Sequence, residues 1–383
     1  MKMKIGLLAG ALAVASASTM AQSSVTLYGV IDEGLNFSTN VSGKSLVALQ
    51  SGYTQGSQWG LRGVEDLGGG TSLVFQLENG FDLNSGQLGQ GGLAFGRQAF
   101  VGFTNRQYGT LTIGRQYDTF FFFVAPLTAN GNWAGFAFTH PYDNDDTEGS
   151  TRVNNAVQYT SANYRGFQVG ATYGFSNSTN FANNRQYSVA GRYTNGGFSV
   201  AMGYEEQNAP GSSSSGAISN GSDDTIKADR LRRFGAGINY ETGPVTVGLV
   251  YTYAHALRPV SSTYAGSLLP ASGANVSSLA FNNIEINAKY QVTPAWFLGA
   301  EYVFTRANYN VSGTTQHPNY HTVGLMSDYF LSKRTDVYVQ AVYQHAGGDA
   351  TGSVMDTAYV IGSGGPSSSD NQALVRLGIR HRF

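Results

Sequence analysis

Apolar and polar residues alternate along most of this chain with a period of two. In GFQVGATYGF, Phe167, Val169, Ala171, Tyr173 and Phe175 share one face, and Gln168, Gly170, Thr172 and Gly174 the other. PVTVGLVYTY aligns Val245, Val247, Leu249, Tyr251 and Tyr253. NIEINAKY sets Ile284, Ile286, Ala288 and Tyr290 against Asn283, Glu285, Asn287 and Lys289. DVYVQAVYQ sets Val337, Val339, Ala341 and Tyr343 against Asp336, Tyr338, Gln340, Val342 and Gln344. The chain ends on LVRLGIRHRF, where Val375, Leu377, Ile379, His381 and Phe383 oppose Arg376, Arg380 and Arg382. Such alternation predicts strands with one apolar face, and helical periodicity is scarce.

The punctuation between strands separates a barrel from a soluble sandwich, which also alternates. Short turns at Leu67–Gly70, Asn105–Gly109, Asn163–Gly166, Asn195–Gly196, Thr242–Gly243, Thr293–Pro294 and Ser332–Arg334 alternate with long polar connections such as Asn208–Asp229 and Gly347–Asp370. The pattern predicts strands over 24–37, 53–66, 71–82, 94–104, 110–116, 151–161, 166–176, 185–194, 197–207, 230–241, 244–257, 282–291, 295–307, 318–331, 335–346 and 372–383. Short turns at one end and long loops at the other describe an up-and-down, 16-stranded antiparallel transmembrane β-barrel. In lipid every backbone group must be paired, so the sheet closes, and Val375, Leu377 and Ile379 face hydrocarbon while the arginines face the interior. A barrel of that size keeps an aqueous lumen. Tyr173, Tyr251, Tyr253, Tyr290, Tyr302 and Tyr343 then form part of an outward aromatic girdle.

Composition agrees. Charged residues are only 12% of the 383, against about 25–35% for a typical soluble surface. The mean hydropathy of −0.19 excludes a bundle of membrane helices. There are no cysteines, hence no disulfide framework or thiolate chemistry. The formal charge of −1 excludes a basic nucleic-acid binder. MKMKIGLLAGALAVASASTMA has Lys2 and Lys4, an apolar run from Ile5 to Ala17, and small residues before Ala21. It predicts a signal peptide over residues 1–21, with the barrel over 22–383.

SSVTLYGVID, SQWGLRGVEDLGGG, GRQAFVGF, GTLTIGRQYD, TRVNNAVQYTS and the terminal HRF follow one another in an order that resembles the Gram-negative general porins, in their β-proteobacterial branch. The resemblance spans the whole mature chain and is weakest in the loops. It implies a general diffusion channel for ions and small hydrophilic solutes. The chain is expected to form a homotrimer in outer-membrane lipid and lipopolysaccharide, with a third loop folded into the pore and no cofactor. It implies that Phe383 is read by the barrel-assembly machinery, and that Arg115 of IGRQYD meets loop two (Leu83–Leu93) of a neighbouring subunit.

Two groups carry the expected pore chemistry. The resemblance puts Arg97 and Arg152 on a basic wall at the constriction. Arg62 and Gln58 share the inward face opposite Trp59 and Leu61. Gln58 departs from the arginine that the family often carries there. The segment 117–150, longer than the roughly 15 residues beyond which loops are usually functional or disordered, holds the acids Asp143, Asp145, Asp146 and Glu148. These acids are expected to face the wall arginines across the pore, giving a transverse field and weak net ion selectivity. The alternative is an exposed acidic loop tip. Asp143, Asp145 and Thr147 also have calcium-loop spacing, but Glu148 stands where a glycine belongs, so no metal is expected. Phe120–Phe123 is either an aromatic track of a specific 18-stranded channel or loop packing, and packing is preferred. The histidines are scattered and no HExxH or GxSxG occurs, so an enzyme is not expected.

Overall fold

The computed structural model describes residues 23–383, so the expected signal peptide lies outside the described residues. Sixteen strand positions form one closed antiparallel sheet. β1 (Ser24–Val41) is followed by β2, in two segments (Lys44–Ser51 and Gln58–Gly68), then β3 (Thr71–Gly80), β4 (Gln98–Asn105) and β5 (Gly109–Gln116). After loop three come β6 (Val153–Thr160), β7 (Phe167–Gly174), β8 (Arg185–Asn195), β9 (Phe198–Asn208), β10 (Arg230–Thr242) and β11 (Val245–Leu257). β12 (Val276–Thr293), β13 (Trp296–Val311), β14 (Pro318–Phe330), β15 (Thr335–Gly348) and β16 (Asn371–Arg382) complete the wall. Each strand pairs with its sequence neighbour. β16 returns to β1 in a register running from Val30 opposite Arg382 to Ser38 opposite Leu374. Phe383 exchanges backbone hydrogen bonds with Gly29 in both directions, at 3.0 and 3.1 Å. No edge is left open at the seam, the condition for existing in hydrocarbon.

The faces follow the alternation. Val375, Leu377 and Ile379 are exposed on the outside, whereas Arg376 is fully buried inside. Tyr251, Tyr290, Tyr302 and Tyr343 are exposed on the outer face. The expected second strand differs from the observed one. β1 and β2 run on past the membrane-facing wall into a tight hairpin at Ser42–Gly43, where both residues have positive φ. β2 then breaks between Ser51 and Gln58. The break is an inward excursion seated on Asp32, whose Oδ2 accepts from the backbone N–H groups of Thr54 (2.8 Å) and Gln55 (3.0 Å). The excursion buries Tyr53, and its carbonyl accepts the N–H of Phe136 in loop three at 2.7 Å.

The interior is not empty. Loop three turns down into the lumen through a short helix, α1 (Thr119–Val124), whose first turn is capped by Asp118 accepting from the Phe121 N–H at 2.9 Å. Further helical turns carry Trp133 and Phe138 onto the opposite wall, where they pack with Phe297, Met326 and Tyr338. Two wall glycines make room. A Cβ at Gly299 would lie 2.3 Å from the Trp133 ring, and one at Gly324 2.3 Å from the Phe138 ring. No side chain fits at either position while the loop stays seated. Above, loops five, six and eight bury a second apolar cluster, including Ile226, Leu268, Met355 and Ile361, against Tyr142 of loop three.

Candidate functional site

Below the turns of loop three the lumen narrows to an open space of about 510 Å³. Cations line it from two walls: Arg97 before β4, Lys289 on β12, and Arg380 and Arg382 on β16. Glu78 on β3 and Glu148 of loop three are the carboxylates at its edge. Arg97 Nε donates to Glu78 at 2.9 Å, and Gln58 Nε2 and Gln76 Nε2 also donate to Glu78, at 3.3 and 3.2 Å. Arg380 bonds Asp336 (3.0 Å) and Asp328 (3.4 Å), and Arg382 bonds Asp336 at 3.1 Å. Both aspartates are buried behind the arginines, so the guanidinium groups are fixed and their outer edges meet the water.

The basic residues singled out from sequence reach the lumen in different ways. Arg97 lies outside the β4 ladder, so strand parity does not govern it, and its side chain turns to the constriction. Arg152 is nearly buried. It donates to Tyr117 Oη (2.8 Å) and to the Ser150 carbonyl (2.9 Å), with its guanidinium carbon 4.8 Å from the Tyr117 ring centre. It backs the constriction rather than lining it. Arg62 stands exposed on the inner wall in a separate part of the lumen, over the Tyr28 ring at 5.2 Å. Gln58 lines the constriction and is tied to Glu78.

The loop acids depart from expectation. Asp143, Asp145 and Asp146 are buried, and of the four only Glu148 borders the open space. Asp145 Oδ2 lies 2.6 Å from His140 Nδ1, and His140 Nε2 lies 3.0 Å from Glu285 on β12. Thr252 and Asn283 of the wall also donate to Asp145. Asp146 accepts the Thr151 N–H at 2.8 Å, and Asp143 accepts the Glu148 N–H at 3.2 Å. Arg233 on β10 donates to the Asn144 carbonyl (2.9 Å) while paired with Glu205. Asp145 therefore fastens the loop to the wall, Asp143 and Asp146 brace the turns of the loop itself, and Glu148 alone of the four shares the open space with the arginines. Asp143 and Asp145 serve different partners, and among the described residues no group of three or more metal-ligating side chains is poised to hold an ion. Burial by itself would lower the His140 pKa, but the flanking Asp145 and Glu285 outweigh it and hold it well above its usual range. For Asp145, burial would raise the pKa, but His140 and the hydrogen-bond donors around it hold it near about 2.

Phe120 and Phe123 are buried against the wall, with Phe121 half-buried and Phe122 exposed. Phe120 and Phe123 thus pack the loop, while Phe121 and Phe122 border the open space. Arg115, expected beside a neighbour's loop two, has its guanidinium held within its own chain, bidentate to Asp223 of loop five (2.8 and 2.9 Å) and donating to the Gly96 carbonyl and Asn154. Glu78, Lys289, Arg380 and Arg382 were not singled out as constriction residues. Inward parity marked Lys289 and the arginines, and the missing information was which of the inward charges stand at the height of loop three.

A closed barrel whose water-filled lumen is narrowed by an inward loop and fixed charges is a membrane channel. The Gram-negative porin family matches residues 8–349. An outer membrane porin protein of Bordetella pertussis is 30% identical over 420 aligned positions, covering 100% of both chains. Outer membrane porin protein 32 of Delftia acidovorans is 31% identical over 54% of this chain and 60% of its own. Among solved structures, the anion-selective porin from Comamonas acidovorans superposes with a TM-score of 0.73 at 22% identity, covering 94% of this chain and 100% of that one. The trimer form of OmpT from Vibrio cholerae gives 0.63 at 18% identity, over 94% and 99%. The chain belongs to the Gram-negative porin family, channels of the outer membrane, and is a general diffusion porin.

Proposed function

We propose that solutes are sorted by the field between Arg97, Lys289, Arg380 and Arg382 on the walls and Glu78 and Glu148 opposite, with a weak preference for anions. The observation that carries this is the excess of cationic heads over carboxylates at the edge of the narrow space. Asp328 and Asp336 behind the arginines equal that excess in number but are buried away from the water, which leaves the preference weak. The fold neighbour from Comamonas is itself described as anion-selective. In planar bilayers under a salt gradient, the reversal potential should show mild anion preference. Lys289→Gln should reduce the anion-to-cation permeability ratio by roughly twofold to fivefold, most clearly at low salt, where screening is least. An unchanged ratio at low salt removes Lys289 from the ion path.

The working unit is a homotrimer held in outer-membrane lipid and lipopolysaccharide, after a signal peptide is removed near Ala21. The trimer form of the Vibrio neighbour supports the first part. Phe383 is the signal read by the assembly machinery. It is exposed on the outer face at the end of the closing seam, where only its backbone contributes to the ladder. Deleting Phe383 should lower outer-membrane levels and leave unfolded chain in the periplasm. Fractionation followed by unheated gels reads both the assembled level and a heat-labile oligomer. Normal levels of the deleted chain sink the signal role.

A further inference from the structure

On the outer face of β8 to β11, opposite residues in the ladders fall into rows. Nearest the long loops, Arg185, Asn208, Arg230 and Leu257 lie side by side. The next row is Tyr187, Glu206, Arg232 and His255, and the one after is Val189, Tyr204, Phe234 and Tyr253. Rows are spaced by two residues, about 6.6 Å along a strand. Three arginines thus sit within two rows on a wall that faces lipid.

Their partners do not saturate them. Arg232 uses its Nε on Glu206 at 2.8 Å, and Arg185 uses its Nε on Asn208 at 2.8 Å. Arg230 Nε is buried without a hydrogen-bond partner. Glu206, the acid of these rows, is nearly buried and already accepts from Tyr204 and Arg232. The terminal nitrogens remain available, and a guanidinium fork fits phosphate oxygens.

Directly toward the membrane centre lies an apolar hollow of about 750 Å³ on the same strands. Gly191 and Ala236 lie between larger neighbours, Val189, Met202, Ile238 and Leu249. Its upper border is Tyr204 and Phe234, one row below Arg232. Aromatic girdles mark the hydrocarbon boundary of such barrels. The arginines therefore stand at headgroup height on the loop side, and the hollow lies at acyl-chain depth. Basic pockets at that height attract anionic headgroups.

We infer that β8 to β11 form a binding site for a phosphorylated lipid of the outer leaflet, with phosphate on Arg185, Arg230 and Arg232 and an acyl chain in the hollow. This rests on the outer-membrane reading above and names the place where lipid is held. The site commits to lipid because charge and hollow are stacked along the membrane normal, and a free anion would need only the first.

The test places the full protein in phosphatidylcholine nanodiscs doped with diphosphoryl lipid A or with its dephosphorylated form, and quantifies lipid retained per channel by mass spectrometry. Wild type should retain the diphosphoryl form. Dephosphorylation of the lipid, the triple change Arg185→Gln, Arg230→Gln and Arg232→Gln, and the hollow-filling Ala236→Phe should each lower retention by at least about tenfold, since charge-assisted contacts or chain packing are lost. Bilayer conductance should be unchanged throughout, and its loss would instead challenge the pore reading. Equal retention of the two lipids by wild type overturns the proposal even if a variant fails to fold. Displacement of the lipid by millimolar inorganic phosphate also overturns it. So does a weakened oligomer in Ala236→Phe with lipid retention intact, which assigns the hollow to another copy of the chain.

Discussion

Arg376→Ala is expected to destabilise the barrel by about 3–5 kcal/mol, as breaking a buried ion pair from one side does. Arg376 is fully buried on the closing strand. Its Nη2 donates to Asp32 at 3.1 Å, its Nε to Tyr338 Oη at 2.8 Å, and its Nη1 to Asn36 Oδ1 at 2.9 Å and to the Gln50 carbonyl at 3.0 Å. The guanidinium carbon lies 4.1 Å from the Tyr53 ring centre. This one group therefore bolts β16 to β1, β2 and β15. Its loss leaves the Asp32 carboxylate buried without its cation and frees the inward excursion of β2. Urea titration of the folded protein in lipid vesicles measures the effect. A loss below about 1 kcal/mol, the scale of an exposed pair, would show that water reaches the group and that the pairing is incidental. The alternation of LVRLGIRHRF placed Arg376 inward but suggested a water-facing side chain. The structure makes it a joint instead.

His140→Ala is expected to release loop three and raise single-channel conductance. His140 bridges Asp145 of the loop to Glu285 of the wall. Removing it leaves two buried carboxylates facing each other, again a penalty of about 3–5 kcal/mol, concentrated in one loop. The pH dependence has a definite sign. The folded-state pKa of His140 is raised, so its contribution is fully present below the unfolded value of about 6.5 and is lost as pH rises through the higher folded value. The loop should hold at neutral and acid pH and loosen in alkali, and His140→Ala should abolish that alkaline step. Conductance traces between neutral and alkaline pH decide the matter. An alkaline step that persists in the variant would assign it to other groups. A closed, wild-type-like conductance in His140→Ala would show that aromatic packing alone seats the loop.

The wall was legible because one rule, period two under a lipid solvent, acts on every strand. Val375, Leu377 and Ile379, or Ile284 and Ile286, have no other stable direction. The break in β2 escaped because Gly52–Gly56 is short and Tyr53 suits a strand as well as a pocket. What holds the excursion is Asp32, far away in sequence. The loop acids escaped for the same reason. Charge and loop length say that Asp143, Asp145 and Asp146 matter, but their direction is set by Thr252, Asn283, Glu285 and Arg233 on other strands. The inward run Asn283, Glu285, Asn287 was a visible signal for a buried polar anchor. Arg115 shares its parity with the outward Leu111 and Ile113, and only the path of loop five reveals Asp223 beside it.

The two glycines under Trp133 and Phe138 set a limit on engineering this channel. A third loop transplanted from a relative with bulkier wall residues at those sites, or this loop grafted into such a barrel, would not seat however well its own turns formed. The exchangeable module is the loop together with Gly299 and Gly324, two positions on strands more than a hundred residues downstream that a loop-only alignment would never include.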